Sequence, residues 1–305
     1  MRVLLVGQAA FAEQVLSRLE EAGDGIAAVV CPPDAGSKPD PLKAAAVARG
    51  IPVHQFRSLK LPEARRAFEE AAADLAVLAY VTQIVPEPLL AIPRLTSICF
   101  HPSLLPRYRG GSAIAWQLIR GETRTGVTVF WPDAGIDTGP ILLQREATIG
   151  LDDTAGTLYY RTLFPLGVET VLDAVALVRS GRAPRLPQDE SRASHDPLCG
   201  DQHAAIDWTR PAGEVHDLIR GCDPQPGAHT TWRGSRLRFY EPHRLAGPVD
   251  AAPGTVVAIG PEGLTIAASN GAVRAARARD GGQKGAAAEV ARVVGLEPGV
   301  SLGQR

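Results

Sequence analysis

Residues 1–30 read MRVLLVGQAAFAEQVLSRLEEAGDGIAAVV, and this stretch decides the fold class of the chain. The short apolar run Val3–Val6, followed by Gly7, is typical of a buried strand. Apolar residues then recur at helical spacing until Gly23 ends the pattern, and Ile26–Val30 predicts a second strand. A strand, a helix and a strand within such a length form a βαβ unit, because two parallel strands need a crossover of this kind.

The same alternation continues through residues 1–180 and predicts a doubly wound, mostly parallel, Rossmann-like α/β sheet. Further strands are expected at Ile51–Phe56, Leu75–Tyr80 and Ile98–His101. One long helix is expected over Thr154–Val178. Residues 181–204 show little periodicity and are interpreted as a linker. Short alternating runs separated by Gly, Pro and Asn then predict a small antiparallel β domain over residues 205–305, for which a barrel is one candidate architecture.

Composition narrows the function classes that the chain can serve. The net charge of −1 over 305 residues provides no general attraction for DNA or an anionic membrane. The four cysteines form no C-x-x-C pair, and the histidines lack metal-ligand spacing, so we expect no metal site. The first apolar run is too short for a signal peptide, and no stretch approaches the roughly 20 apolar residues of a membrane span. We therefore expect a cytoplasmic protein.

A histidine and an aspartate stand out as a candidate catalytic pair. Because ligands bind beyond the carboxyl ends of parallel strands, we expect Tyr80–Pro86, His101–Gly111 and Asp133–Gly139 to meet there. Asp137 could fix the tautomer of His101, which could then exchange a proton or stabilise an oxyanion in acyl transfer. From these two residues alone, the favoured interpretation is structural: a strand-end histidine bonded to backbone, and an aspartate that caps a turn.

The surrounding residues change this balance. His101-Pro102-Ser103-Leu104-Leu105-Pro106-Arg107-Tyr108-Arg109-Gly110-Gly111, then Thr125–Thr128 and Asp133–Gly139, closely resemble the folate-dependent formyltransferase family. The family includes methionyl-tRNA formyltransferase and the hydrolase domain of 10-formyltetrahydrofolate dehydrogenase. The resemblance implies that residues 1–180 form a folate-binding catalytic domain and that the C-terminal domain is an OB-like barrel. It also implies that His101 and Asp137 assist attack on the formyl carbon of 10-formyltetrahydrofolate.

The resemblance assigns further residues to the folate. The expected folate-binding positions lie on three loops: Leu78, Tyr80, Gln83, Ile84, Val85, Ser103, Leu104, Pro106, Asp133 and Gly135. Ser103 has a second interpretation as a hydroxyl that fixes its loop. Arg107 and Arg109 are expected to contact the acceptor or the glutamate tail of the folate. Because no G-x-G-x-x-G follows the first strand, we expect no NAD site.

Cys99 departs from the family pattern. The formyltransferases usually carry Asn two residues before the histidine, where it can donate to the oxyanion, whereas a thiol donates weakly. The hydrolase domain of the dehydrogenase resembles this chain in lacking that Asn, which favours water or a small amine as acceptor. Cys99 itself is expected to be a small apolar filler rather than a nucleophile.

Two alternatives stay open. A methionyl-tRNA acceptor requires a phosphate-binding surface, yet Lys38 is the only cation of Cys31–Leu42, where the tRNA enzymes carry a basic loop. The basic residues of the C-terminal part leave a local basic face possible there: Arg233, Arg236, Arg238, Arg244, Arg274, Arg277, Arg279 and Lys284. The second alternative is a catalytically weak folate-binding protein. Since the sequence ends at Arg305, we expect no NADP-dependent oxidation.

Overall fold

The structure is a computed structural model that describes residues 1–245 and 247–303. It divides into two compact units. The first consists of Met1–Gly111, Gly126–Ala147 and Thr162–His195, and the second of Ser112–Thr125, Thr148–Arg161 and Asp196–Arg305. The domain boundaries predicted from the sequence, 1–180, 181–204 and 205–305, stay a prediction. Each compact unit combines segments that are not consecutive in the chain, so its limits do not correspond to single boundaries.

A seven-stranded sheet organises the N-terminal part. Its strands follow the order β3-β2-β1-β4-β5-β6-β7. All pairings from β3 across to β5 are parallel, which confirms the predicted mostly parallel, doubly wound sheet. The strands are β1 (Arg2–Gly7), β2 (Gly25–Cys31), β3 (Val53–Gln55), β4 (Leu75–Ala79), β5 (Ser97–His101), β6 (Arg124–Phe130) and β7 (Ile141–Thr148).

Helices connect these strands, and most lie where apolar spacing predicts them. The first buries Phe11, Val15 and Leu19, as their helical spacing requires. The predicted helix Thr154–Val178 is interrupted by a π-helical turn at Tyr159–Leu163. The turn precedes Pro165, which has no N–H for a regular helical hydrogen bond. The helices are α1 (Ala9–Glu21), α2 (Pro41–Ala48), α3 (Pro62–Ala71), α4 (Glu87–Leu90), α5 (Ala113–Ile119), α6 (Ala155–Leu158) and α7 (Phe164–Arg179).

One carboxylate caps two of these helices. The backbone N–H of Ala9, at the start of α1, donates to Asp40 Oδ2 at 2.8 Å and to Oδ1 at 3.1 Å. The N–H of Leu42, at the start of α2, donates to Asp40 Oδ1 at 2.9 Å. Asp40 therefore places a negative charge against the positive ends of both helix dipoles.

The direction of β6 differs from the arrangement expected around the candidate pair. β6 runs antiparallel to β5, with His101 opposite Thr128 and Cys99 opposite Phe130. The chain therefore leaves β6 beside the first half of β5, and Asp133–Gly139 does not follow a strand end at the shared carboxyl edge. The turn between β6 and β7 nevertheless reaches the carboxyl end of β5, because Asp137 lies 3.5 Å from His101 and accepts the N–H of Gly110. The segments of His101 and Asp137 therefore meet as expected, although β6 runs opposite to β5.

The second unit contains a six-stranded antiparallel sheet in the order β10-β11-β12-β9-β8, with β13 paired to β12. This confirms an antiparallel β domain, while the OB-like barrel stays a prediction. The alternation of apolar and polar residues does not predict the strand Ala228–Trp232, which is β8. The α-helices and strands of this unit that follow residue 195 are α8 (Ala212–Gly221), β8 (Ala228–Trp232), β9 (Ser235–Leu245), β10 (Val256–Gly260), β11 (Gly263–Ala268), β12 (Gly271–Arg279), β13 (Gly285–Ala286) and α9 (Ala287–Val293).

Within the part of the chain that the structure describes, no helix combines the length and apolar character that crossing a membrane requires.

Candidate active site

His101 ends β5 and is 5% exposed. Its Nε2 lies 2.7 Å from the carbonyl oxygen of Tyr108. A carbonyl oxygen can only accept, so Nε2 carries a hydrogen and donates it. The tautomer of His101 is thus fixed by the backbone of Tyr108 rather than by Asp137, and Nδ1 is left as the ring nitrogen that can gain or lose a proton.

Asp137 lies opposite that nitrogen, in the turn between β6 and β7. Its Oδ2 is 3.5 Å from His101 Nδ1 and accepts the N–H of Gly110 at 2.8 Å. The first distance exceeds an ordinary N–H···O hydrogen bond of about 2.7–3.2 Å. The structure therefore brings together the two residues that the sequence predicted as a pair.

The turn that carries Asp137 is tightly built. Asp137 has a φ of 57°, a left-handed conformation that costs free energy for a side chain other than Gly. Asp133 stabilises the turn, because its Oδ1 accepts the N–H of Gly135 at 3.0 Å and the hydroxyl of Thr138 at 2.6 Å. A Cβ on Gly139 would lie 1.8 Å from the carbonyl oxygen of Trp131, so only Gly fits there.

Residues Pro184–His195, which we call the strap, belong to the segment predicted to be a linker. Leu186 exchanges backbone hydrogen bonds with Ile141 of β7, and the Ser194 N–H donates to Pro106 O at 3.1 Å. The hydroxyl of Ser194 accepts the N–H of Tyr108 at 2.8 Å. This part of the segment is therefore ordered against the candidate site.

Cys99 lies on β5 two residues before His101 and is half-buried. Burial, and to a smaller extent the charge of Asp137, hold the pKa of its thiol well above the usual range. The thiol stays protonated at neutral pH, and a protonated thiol is a poor nucleophile. This favours the apolar-filler interpretation of Cys99.

The expected folate-binding residues occupy two different environments. Leu78, on β4 and 3% exposed, packs in the apolar core with side chains of β1, β2 and α3, and Ser103 is buried with its hydroxyl donating to Arg107 O at 2.7 Å. The hydrogen bond shows Ser103 fixing its loop. Buried Pro106 lies in the same loop, after a cis peptide bond. The more accessible members are Tyr80, Gln83, Ile84, Val85, Leu104, Asp133 and Gly135.

Gln83, one of the accessible members, is anchored by two hydrogen bonds. It donates from Nε2 to Phe56 O at 3.1 Å and accepts the Leu59 N–H at 3.2 Å. Gln83 also lines a small, solvent-open depression where β1, β2 and β4 end, together with Gly7, Cys31 and Tyr80. Neither His101 nor Asp137 is among the residues that line this depression.

The two arginines predicted to contact acceptor or folate differ sharply. Arg107 is exposed, whereas Arg109 is only 6% exposed. The guanidinium of Arg109 binds Glu190 through Nη1 to Oε2 at 2.9 Å and Nη2 to Oε1 at 2.6 Å. These hydrogen bonds lower the pKa of Glu190. Arg109 is thus committed to contacts within the protein, and the predicted ligand contact rests on Arg107.

Three contributors to the site were missed from the sequence: the carbonyl of Tyr108, the hydroxyl of Ser194, and the side chain of Gln188, which donates to the carbonyl oxygen of Asp137 at 2.8 Å. The first acts through a backbone atom, and the others lie in a segment without periodicity. Within residues 1–245 and 247–303, no three His, Cys, Asp or Glu side chains are grouped so that they could hold a metal ion.

Comparison with known proteins places these features in a family. The sequence profile of the formyl transferase family matches residues 1–174, and that of the formyl transferase C-terminal domain matches residues 200–292. The chain is 41% identical over 245 residues to cytosolic 10-formyltetrahydrofolate dehydrogenase of Mus musculus, covering 79% of this chain. It spans only about 27% of that relative's length.

A second relative matches along its whole length. Methionyl-tRNA formyltransferase of Geobacter metallireducens is 36% identical over 311 residues, which cover 99% of each chain. Among solved structures, HypX from Aquifex aeolicus in complex with tetrahydrofolic acid has a TM-score of 0.73 at 19% identity, over 100% of this chain and 51% of that one. That likeness concerns the fold. The family profile and the full-length relative together establish that the chain belongs to the formyl transferase family.

Proposed function

We propose that this formyl transferase moves the formyl group of 10-formyltetrahydrofolate to water or a small amine, with His101 and Asp137 as its catalytic pair. The observation that carries the proposal is the opposition of His101 Nδ1 and Asp137 Oδ2 at 3.5 Å, with Nε2 already committed to Tyr108 O. This arrangement leaves one nitrogen for proton exchange and one carboxylate to stabilise the resulting cation.

The residues act in a defined order in this proposal. The acceptor attacks the formyl carbon and loses a proton, which His101 Nδ1 takes with Asp137 stabilising the imidazolium. The formyl oxygen becomes an oxyanion, and the cationic ring lowers its energy. The proton on Nδ1 then passes to the departing nitrogen of the folate, so His101 returns to its starting state. Exposed apolar side chains at Tyr80, Ile84 and Ile136 offer surface for an aromatic donor.

Two observations favour water or a small amine as the acceptor. Cys99 stands where the formyltransferases usually carry Asn, and several cations of the second unit are already paired with carboxylates. Arg236 and Arg238 both bind Asp201, Arg274 binds Glu262, and Lys284 binds Asp223 and Glu241. A cation already paired within the protein contributes less to phosphate binding. Methionyl-tRNA remains the second candidate acceptor, because the match to the tRNA enzyme covers 99% of both chains.

The test is an acceptor assay with purified protein and 10-formyltetrahydrofolate. We expect tetrahydrofolate to be released without RNA, and faster when small amines are added if an amine is the acceptor. Release that depends on methionyl-tRNA would replace the proposed acceptor with the second candidate. Folate binding without turnover on any acceptor would instead leave a catalytically weak folate-binding protein.

A further inference from the structure

Gln188 lies in the strap and contacts the turn of Asp137 directly. Its side-chain Nε2 donates to the carbonyl oxygen of Asp137 at 2.8 Å and to that of Gly139 at 2.7 Å. A side-chain amide has two N–H donors, so both are used on this one turn. No assigned step of the reaction involves this side chain.

The orientation of the Gln188 amide is itself determined. Its Oε1 accepts from Arg109 Nη2 at 2.8 Å and from Arg109 Nε at 3.2 Å. Arg109 is held in turn by Glu190, and its backbone N–H donates to Ser194 O at 2.9 Å. A guanidinium can only donate, so it forces the oxygen of Gln188 toward itself and the nitrogen toward the catalytic turn.

The turn needs such support. Asp137 is in the left-handed region, a conformation that costs of order 1–3 kcal/mol and persists only where the surroundings hold it. Within the described contacts, the Asp137 carbonyl is held by Gln188 and its carboxylate by Gly110. One contact holds the backbone of Asp137 and the other holds its side chain, so the two together determine the direction of Oδ2.

The same strap also supports the histidine side. Tyr108, whose carbonyl accepts from His101 Nε2, donates its own N–H to Ser194 Oγ at 2.8 Å. One segment therefore touches the support of His101 at Ser194 and the support of Asp137 at Gln188. The separation of Nδ1 and Oδ2 depends on that segment keeping its place.

We infer that Gln188 is a positioning residue for the formyl-transfer site, oriented by Arg109 so that it holds the Asp137 carboxylate toward His101. The inference rests on the proposed function for its kinetic consequence. It predicts a lower kcat with little change in folate binding, because Gln188 contacts the turn through the backbone carbonyl groups of Asp137 and Gly139. A displacement of about 1 Å in a catalytic group can reduce the rate by roughly 100-fold.

Two substitutions separate positioning from bulk. Gln188→Glu keeps the acceptor for Arg109 but turns an oxygen toward two carbonyl oxygens, whereas Gln188→Ala removes both sets of contacts. We expect kcat to fall by about 10- to 100-fold in each, with KM for 10-formyltetrahydrofolate within about threefold of its wild-type value. The matched control is Gln55→Glu on β3, where Gln55 Nε2 also donates to a carbonyl, Pro32 O, at 2.9 Å. That variant should keep wild-type kcat.

A second readout does not need turnover. The ring ¹⁵N chemical shifts of His101 report the proton on each nitrogen, and the Nδ1 signal should move in both Gln188 variants but not in Gln55→Glu. If the wild-type protein shows no formyl transfer in the assay, the proposed function is overturned. The ¹⁵N shifts still test the role of Gln188 in that case. Unchanged shifts in both folded Gln188 variants, or a raised KM with unchanged kcat, would overturn the inference. If Gln188→Glu does not fold, Gln188→Ala decides.

Discussion

The loop Pro102–Gly111 and the strap Pro184–His195 both contact the proposed catalytic pair, yet only the loop carries a motif that sequence analysis can recognise. The loop acts through Tyr108 O on His101 and through the Gly110 N–H on Asp137. The strap acts through Gln188 on the Asp137 turn and through Ser194 on Tyr108. A rich motif and a segment without periodicity thus share one task. Supports made by backbone atoms and single polar side chains leave no repeating pattern to recognise.

The largest effect is expected from the pair that both regions support. His101→Ala and Asp137→Ala should each reduce kcat by about 100- to 10,000-fold, because each removes proton transfer or its stabilising charge. The measurement is steady-state release of tetrahydrofolate, with circular dichroism to show that the fold persists. His54→Ala, on the edge strand β3, serves as the control and should keep its rate. Near-normal rates in either catalytic variant would remove the assigned roles.

Gly139→Ala tests the turn on which the strap acts. A Cβ there would lie 1.8 Å from Trp131 O, so the turn must move and carry Asp137 with it. We expect kcat to fall by roughly 100-fold, by the same sensitivity to displacement. Gly25→Ala is the matched control, since its nearest neighbour atom would be 4.0 Å away. Equal kcat values for the two variants would mean that the turn tolerates rearrangement.

The two arginines of the loop sharpen the comparison, because one faces the strap and the other is exposed. Arg109→Ala leaves Gln188 without its guanidinium partner and should cost about 1–3 kcal/mol of unfolding free energy, together with a fall in kcat. Arg107→Ala should leave stability within about 0.5 kcal/mol and raise KM if it contacts the donor or acceptor. Urea unfolding and steady-state kinetics on both variants provide the measurements. The comparison fails if Arg107→Ala is the more destabilising.

The smallest effect is expected in the second unit. Hydrogen bonds from Arg238 lower the pKa of Asp201 from 3.8 to about 2. A carboxyl whose pKa is lower when folded stabilises the fold above its unfolded pKa, so this contribution is lost as the pH falls from about 4 to 2. The effect is small because the Asp201 side chain is 41% exposed and salt screens the pair.

Comparing the pH dependence of unfolding between wild-type protein and Asp201→Asn measures this contribution. The two stability curves should converge at pH 2 and separate above pH 4. A constant difference across that range would show that Asp201 acts through packing or shape instead of charge.

Sequence patterns predicted the fold where burial alone decides it. Val3–Val6 and the helix carrying Phe11 are buried as expected, because apolar spacing records which face meets the core. The antiparallel pairing of β6 with β5 could not be derived, since an apolar run does not specify the direction of the neighbouring strand. The role of the Tyr108 carbonyl was equally hidden, because every residue has a carbonyl and only the turn decides where it points. The sequence predicted a ligand contact for Arg109, but its side chain is buried and bound to Glu190, a pairing between distant residues that the sequence does not reveal.

The carboxylate of Asp40 has a consequence for what the first βα turn can accept. In many nucleotide-binding sheets, the start of the first helix is where a phosphate docks. Here that place already holds an internal counter-ion, bound by the N–H of Ala9 at 2.8 Å. An incoming phosphate would have to displace it or meet a like charge, with repulsion of about 1–4 kcal/mol at 4 Å depending on the local dielectric. The Asp40 carboxylate thus occupies the helix N-terminus where other sheets of this kind bind a phosphate. We therefore expect no phosphorylated ligand to bind there while Asp40 keeps this position.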